Sequence, residues 1–306
     1  ASDNSGNISQ LSLTVRVEPP AFSLTGNAID GYLIGAKVIL DTNGDGVNDL
    51  SAVAYTQENG EYSLGISQEE FSMIDADSNG IIDPSEGRIL VNGGVDSTTG
   101  ETFYGTLMAD ANASVVTPIT SLVVGLIDLG VEKETATEMI ASKLGLSGGV
   151  DLTTFDPLEN AANGNSVSTE ILIEGARIAS IMKQTEAFVS LLEGDDYIPG
   201  SASLAITAML ADKIHTSSND SVNPLDTHTT EIITQVITNE VSNELFTSEE
   251  VADFAQIIQA TDSLHQTLKA TDMNPIEVAA EVAKQQLAVK QEVLDALEEI
   301  SDGAGS

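Results

Sequence analysis

The sharpest chemical signal in the chain is the segment Asp75-Ala-Asp77-Ser-Asn79-Gly80-Ile81-Ile82-Asp83-Pro-Ser-Glu86, with oxygen-bearing side chains at positions one, three, five, nine and twelve. Calcium is a hard ion that takes about six to eight oxygen ligands. In a loop of this length the glycine at position six makes the sharp turn, the residue at seven gives a backbone carbonyl, and a glutamate at twelve can bind through both oxygens. Asp75, Asp77, Asn79, Ile81, Asp83 and Glu86 meet each of these demands. Ile82, at position eight, is the apolar residue expected to tie the loop to the core. Upstream, Ser67-Gln-Glu-Glu70 predicts a capping box for a short helix ending near Ile74. Downstream, Gly87 and the run Arg88-Ile-Leu-Val91 predict a strand in place of a second helix, so the loop reads as a structural staple within a β region.

A second segment, Asp41-Thr-Asn43-Gly-Asp45-Gly46-Val47-Asn48-Asp49, repeats the first nine positions and then has Ala52 where the glutamate belongs. Asp41, Asn43, Asp45, Val47 and Asp49 are its candidate ligands, with Glu58 and Glu61 as possible donors from the turn that follows. The bland alternative is an Asx-rich turn between two strands. Catalytic patterns are thin. His215, His228 and His265 have no metal-ligand spacing and read as polar residues on helix surfaces. No nucleophile elbow, phosphate loop or zinc-protease helix occurs. With 48 acidic residues, coincidental carboxylate pairs are inevitable, and the absence of Trp leaves little to stack a sugar on. The chain therefore reads as non-enzymatic, with a carboxylate hydrolase as the weakest alternative.

The formal net charge of −37, from 48 acidic residues against 11 Lys plus Arg, repels nucleic acid and anionic membranes and attracts divalent cations. Such acidity also suits salty surroundings, so loop geometry, not charge, carries the metal assignment. The absence of Cys excludes disulfides and thiolate sites. No apolar run reaches the roughly 18 residues of a membrane span, and no membrane insertion is expected.

The elements that must hold these loops fall into two regimes. Residues 19–115 show short strands and turn chemistry, with Asn59-Gly60 between two alternating runs predicting a tight hairpin. Further strands are expected around 88–91 and 102–107, punctuated by Gly93-Gly94 and Thr99-Gly100. From residue 116 the period is helical. Thr117 caps, Pro118 opens and Gly130 ends a first helix. Helices follow at 132–144, 169–193, 202–216, 227–245, 249–271 and 275–300, with a short turn from Asp156-Pro157 toward Gly164. Thr247-Ser-Glu-Glu250 is a second capping box. The expected fold class is α+β and multi-domain: an all-β, Ig-like sandwich with EF-hand-like calcium loops at 19–115, then an all-α helical bundle at 116–306. The alternating run Leu11-Ser-Leu-Thr-Val-Arg-Val17, within residues 1–18, reads as a strand of a preceding or swapped β module.

The run Gly35-Ala-Lys-Val-Ile-Leu-Asp-Thr-Asn-Gly-Asp-Gly, followed by Glu58-Asn-Gly-Glu-Tyr-Ser-Leu64, resembles the calcium-laced β modules of bacterial surface proteins. Gly93-Gly-Val-Asp-Ser-Thr-Thr-Gly, Gly105-Thr-Leu and Val115-Val-Thr-Pro-Ile-Thr-Ser-Leu122 are similar to a segment of very large Gram-negative adhesins of the biofilm-associated and repeats-in-toxin types, where a β module feeds a helical one. The resemblance covers about residues 20–160. It implies a secreted or cell-surface location, calcium as the bound ion, and a role as structural extender or attachment segment. The residues it carries over are those of the loop at Asp41, Asn43, Asp45 and Asp49. Expected partners are calcium ions and a peptide, glycan or cell-surface ligand. A receptor role for the helical half, with a groove for a peptide or small molecule, is the alternative.

Overall fold

The structure, a computed structural model, describes residues 21–147, 149–194, 197–217, 222–241 and 247–288. The alternating segment 11–17 and the apolar positions Val289, Val293, Leu294 and Leu297 of the expected last helix lie outside them. Apart from one short helix, α1 (Gln68–Ile74), strands come first and helices after, so the fold is mixed α+β.

Three strands form one sheet in the order β5-β1-β9: β1 (Phe22–Ala28), β5 (Glu61–Ile66) and β9 (Val115–Val116). Four form a second, antiparallel sheet in the order β4-β3-β6-β8: β3 (Lys37–Asp41), β4 (Ala54–Tyr55), β6 (Arg88–Asn92) and β8 (Thr106–Asp110). A short pair, β2 (Leu33–Ile34) with β7 (Val95–Asp96), completes the strands. Successive residues of a strand face opposite sides. Register places Leu40, Ile89 and Ala109 across from one another on one face, with Val38, Val91 and Leu107 beside them, and all six join the main core. Ile39, Leu90 and Met108 are in register on the other face and pack against Val124 and Leu204. The sheet is thus covered on both sides, by strands on one and by helices on the other.

The helix supplying Val124 is α2 (Pro118–Asp128), opened as expected by the Thr117 cap with Thr120 completing the box. Its first turn has a second task. Ser121 Oγ accepts the Met108 N–H at 2.8 Å, and Thr120 Oγ1 donates to the Met108 carbonyl at 2.7 Å. Because β8 is the edge of the sheet among the described residues, these hydroxyls pair backbone groups that no described strand reaches. The described helices that follow are α3 (Lys133–Leu144), α4 (Pro157–Ala162), α5 (Val167–Glu193), α6 (Ser201–Thr216), α7 (Pro224–Thr227), α8 (Thr229–Glu240) and α9 (Ser248–Thr267), with a 3-10 turn at Leu268–Ala270 and helix again over 275–288. α5 is buried along most of its length and forms the centre of the helical part. One continuous cluster of buried apolar residues runs from Leu24 and Leu64 through Leu122 and Ile178 to Phe254.

Three details differ from expectation. The alternating runs around Asn59-Gly60 do not pair with each other: β4 adds to β3 and β5 to β1. The turn, closed by Gln57 N–H to the Glu61 carbonyl at 2.8 Å, carries the chain from one sheet to the other. Gly60 is required there, with φ +73° and its carbonyl accepting the Ala28 N–H at 2.9 Å. The strand expected at 102–107 is shifted to Thr106–Asp110, since burial on both faces removes the alternation that marks a strand. The helix expected at 227–245 divides at His228, where Asn223 caps a separate turn with Pro224 at its first position.

Candidate metal centre

α1 (Gln68–Ile74) leads into the loop at 75–86. Its capping box is formed: Glu70 N–H donates to Ser67 Oγ at 3.2 Å, and Glu70 Oε2 accepts the Ser67 N–H at 3.0 Å. The other Glu70 oxygen accepts the Ser51 N–H at 2.8 Å, tying the end of the first acidic loop to the start of the helix that opens the second. The Ser67 hydroxyl and these amides hold the Glu70 carboxyl down at about 2.

The loop itself is a chain of side-chain-to-backbone bonds pulling the oxygens inward. Asp75 accepts the N–H groups of Asn79 and Gly80 at 3.0 Å each, Asp77 that of Asn79 at 3.1 Å, and Asn79 that of Ile81 at 2.9 Å. Glu86 folds back over the ring, accepting from Ala76 N–H at 2.7 Å and Asp83 N–H at 3.0 Å. The Asn79 amide donates to Asp77 and Asp83. Positive φ falls at positions four and six, Ser78 at +60° and Gly80 at +90°. Carboxylate oxygens of Asp75, Asp77 and Glu86 all lie within 4.8 Å of one another. That is the breadth of one calcium shell, where oxygens about 2.3–2.6 Å from the ion sit up to about 5 Å apart. Ile81 is exposed. Ile82 is fully buried, and its carbonyl accepts from Asn112 Nδ2 at 2.7 Å, fastening the loop to the turn after β8. β6 begins two residues after Glu86, so the unit is helix, loop and strand.

The loop at 41–49 has the same backbone plan. Positions four and six are Gly44 and Gly46, with φ +84° and +79°. Asp41 accepts the N–H groups of Asn43, Gly44 and Gly46, Asn43 that of Asp45, and Asp45 that of Val47. The missing glutamate has a partial substitute within the loop: Asp49 Oδ2 accepts Thr42 N–H at 2.7 Å, as Glu86 accepts Ala76 N–H. Asn48 takes the place of Ile82 and bonds to backbone, while Leu50 is the buried anchor. The electrostatic surroundings differ. Arg88 Nε lies 3.7 Å from Asp41 Oδ2, and its Nη1 pairs with Asp128 at the end of α2. Among the described residues no ion pair reaches Asp75, Asp77 or Glu86 and no other acidic trio converges as they do, so the loop at 75–86 is the better-prepared cation site.

Other polar centres were invisible from spacing. Arg177 is completely buried: Nε and Nη2 meet the two Asp262 oxygens at 2.8 Å each, Nη1 lies 3.1 Å from Glu174, and Nη2 lies 2.7 Å from Asp226. Lys269 and Asn223 also reach Glu174. These partners hold the guanidinium more firmly charged than usual despite burial, while burial raises the Asp262 carboxyl. His265 is no surface residue. It is fully buried, Nδ1 pairing with Gln285 Oε1 at 2.9 Å, and Nε2 has no partner among the described residues. Loss of water, with Lys183 and Arg177 nearby, lowers it to about 4. His228, by contrast, is half-buried and lies 3.2 Å from Glu231. No helix among the described residues is long and apolar enough to cross a membrane. A search of family models, curated proteins and solved structures finds no match to the chain.

Proposed function

We propose that this chain is a non-enzymatic, calcium-stabilised module of a large secreted or cell-surface bacterial adhesin, serving as extender or attachment segment. In this reading the two strand layers are an Ig-like sandwich and the acidic loops are EF-hand-like staples. The observation that carries it is the convergence of Asp75, Asp77 and Glu86 around inward-facing Asn79, on a loop whose amides already hold those oxygens in place. Such a loop without its second helix has no pair of helices to open, which favours a stiffening role over a sensor. The bond from Glu70 to Ser51 extends the stiffening across both loops. The adhesin context rests on the sequence resemblance.

Calcium titration by calorimetry on the intact chain tests this, repeated with Asp75→Ala and Asp41→Ala. The loop at 75–86 should bind in the range of extracellular modules, about 0.1–1 mM, and the event should vanish with Asp75→Ala. At about 10 mM calcium one such site adds roughly 1.4–2.7 kcal/mol of stability. Arg88 beside Asp41 makes the second site the weaker. Equal melting temperatures with calcium and with chelator would refute the proposal.

A further inference from the structure

Asp30 lies in the turn between β1 and β2, at the seam between strands and helices. Its side chain is 1% exposed, and Oδ2 stands 2.7 Å from Nζ of Lys183 on α5. Oδ1 accepts from Gln286 at 3.3 Å, so helix 275–288 closes the site from outside. The Lys183 ammonium also lies 6.0 Å from the ring centre of Phe103, itself buried. A second buried carboxylate, Asp96 on β7, stands against the same turn. A Cβ on Gly31 would lie 1.9 Å from Asp96 Oδ1, so only glycine lets this carboxylate approach the Asp30–Gly31 peptide. Burial first, and then the Asp96 charge, raise the Asp30 carboxyl against the opposing pull of Lys183. A raised carboxyl takes up a proton more readily and so becomes the electrophilic form.

We propose that Lys183 and Asp30 condense into an intramolecular amide that joins the helical part covalently to the β part. The atoms balance within the ion pair. The ammonium gives one proton to Asp30, which becomes the neutral acid, the amine Nζ attacks Asp30 Cγ, a C–N bond forms, and a C–O bond breaks. The departing hydroxyl takes a second proton from nitrogen, carried across by Asp96, and leaves as water, with Asp96 returned to carboxylate. Charge is conserved, since an ammonium and a carboxylate become a neutral amide. No oxidant or cofactor is needed. Contact at hydrogen-bond distance supplies the effective concentration, and the burial of Asp30 favours its neutral form.

Mass spectrometry of the denatured full chain decides the matter. The wild-type protein should be lighter than its sequence by one water, and digestion should give a branched peptide containing Asp30 and Lys183. Lys183→Arg keeps the ion pair but cannot condense, and should show the full sequence mass. Asp30→Asn should be lighter by one ammonia, arriving at the same amide. Asp96→Asn, checked as folded by circular dichroism, should stay at full mass. A wild-type chain of full sequence mass after prolonged incubation overturns the proposal. So does a branched peptide at Lys133 and Asp110, or at Lys269 and Glu174, where an ammonium also meets a buried carboxylate, in place of this one. Loss of water in Asp96→Asn overturns the proton route.

Discussion

Replacing Arg177 with Met isolates what the buried ion cluster contributes. The side chain is similar in length and apolar, so packing is kept while the guanidinium is removed. Asp262 then loses both of its 2.8 Å partners and Glu174 loses one, inside a site from which water is excluded. Glu174 retains Lys269 and Asn223, so Asp262 bears the larger loss. Breaking one partner out of a buried pair costs about 3–5 kcal/mol, because a charge is left desolvated and unmatched. For a chain of this size that lowers the melting temperature by roughly 5–8 °C. Arg177→Met combined with Asp262→Leu and Glu174→Leu should recover most of it, since replacing a whole buried cluster by apolar groups is often neutral or stabilising by about 1–4 kcal/mol. Acid gives an independent check. The Asp262 carboxyl is raised in the folded chain, so its burial cost is relieved as pH falls. Without Arg177, which opposes that rise, the carboxyl goes higher still, so the single variant should recover stability relative to wild type as pH falls below neutral. Urea denaturation of the three proteins at two pH values measures both effects. A single variant within about 1 kcal/mol of wild type, or a triple variant weaker than the single, would refute the reasoning.

Two more outcomes follow from particular groups. His265 is held near 4 in the fold against an ordinary value of 6.5, so the unfolded chain binds its proton first. Its contribution is complete above pH 6.5 and is lost as pH falls toward 4, up to about 3 kcal/mol; His265→Gln should flatten the stability difference measured across that window, and parallel curves would count against it. Gly60→Ala should cost about 1–3 kcal/mol by chemical denaturation. Its Cβ would stand 2.5 Å from the Ala28 carbonyl at a φ of +73°, and an unchanged midpoint would show that the turn relaxes without cost.

Local information accounts for what could be read from the sequence. The loop at 75–86 carries its oxygens, its glycine and its buried Ile82 within twelve consecutive residues, the capping boxes at Ser67 and Thr247 each need only four, and the Thr117 cap needs only the proline after it. The helices end where Gly130, Gly145 and Gly194 end them, because a positive φ is a property of one residue. What failed to appear depends on distance. Arg177 and Asp262 are 85 positions apart, Asp30 and Lys183 are 153 apart, and nothing in the spacing of either pair announces the other. Alternation around Asn59-Gly60 is consistent with a hairpin or a crossing between sheets, and only the preference of β4 for β3 distinguishes them. His265 sits in the mostly polar run Asp262-Ser-Leu-His-Gln-Thr267, so its burial shows only with α9 and helix 275–288 in place.

The sheet β4-β3-β6-β8 has a consequence for how such a chain can be reshuffled during evolution. Secondary structure changes type at residues 116–118, which looks like a natural seam for recombination. Packing does not follow it. Ile39, Leu90 and Met108 would lose Val124 and Leu204, and the Met108 backbone would lose Thr120 and Ser121. A gene fusion cut there would inherit a sheet with one bare apolar face and an open edge, a combination that favours aggregation. Crossovers that keep the strands with α2 and α6 conserve the wall that both parts share. The unit of inheritance is accordingly larger than either regime of the sequence suggests.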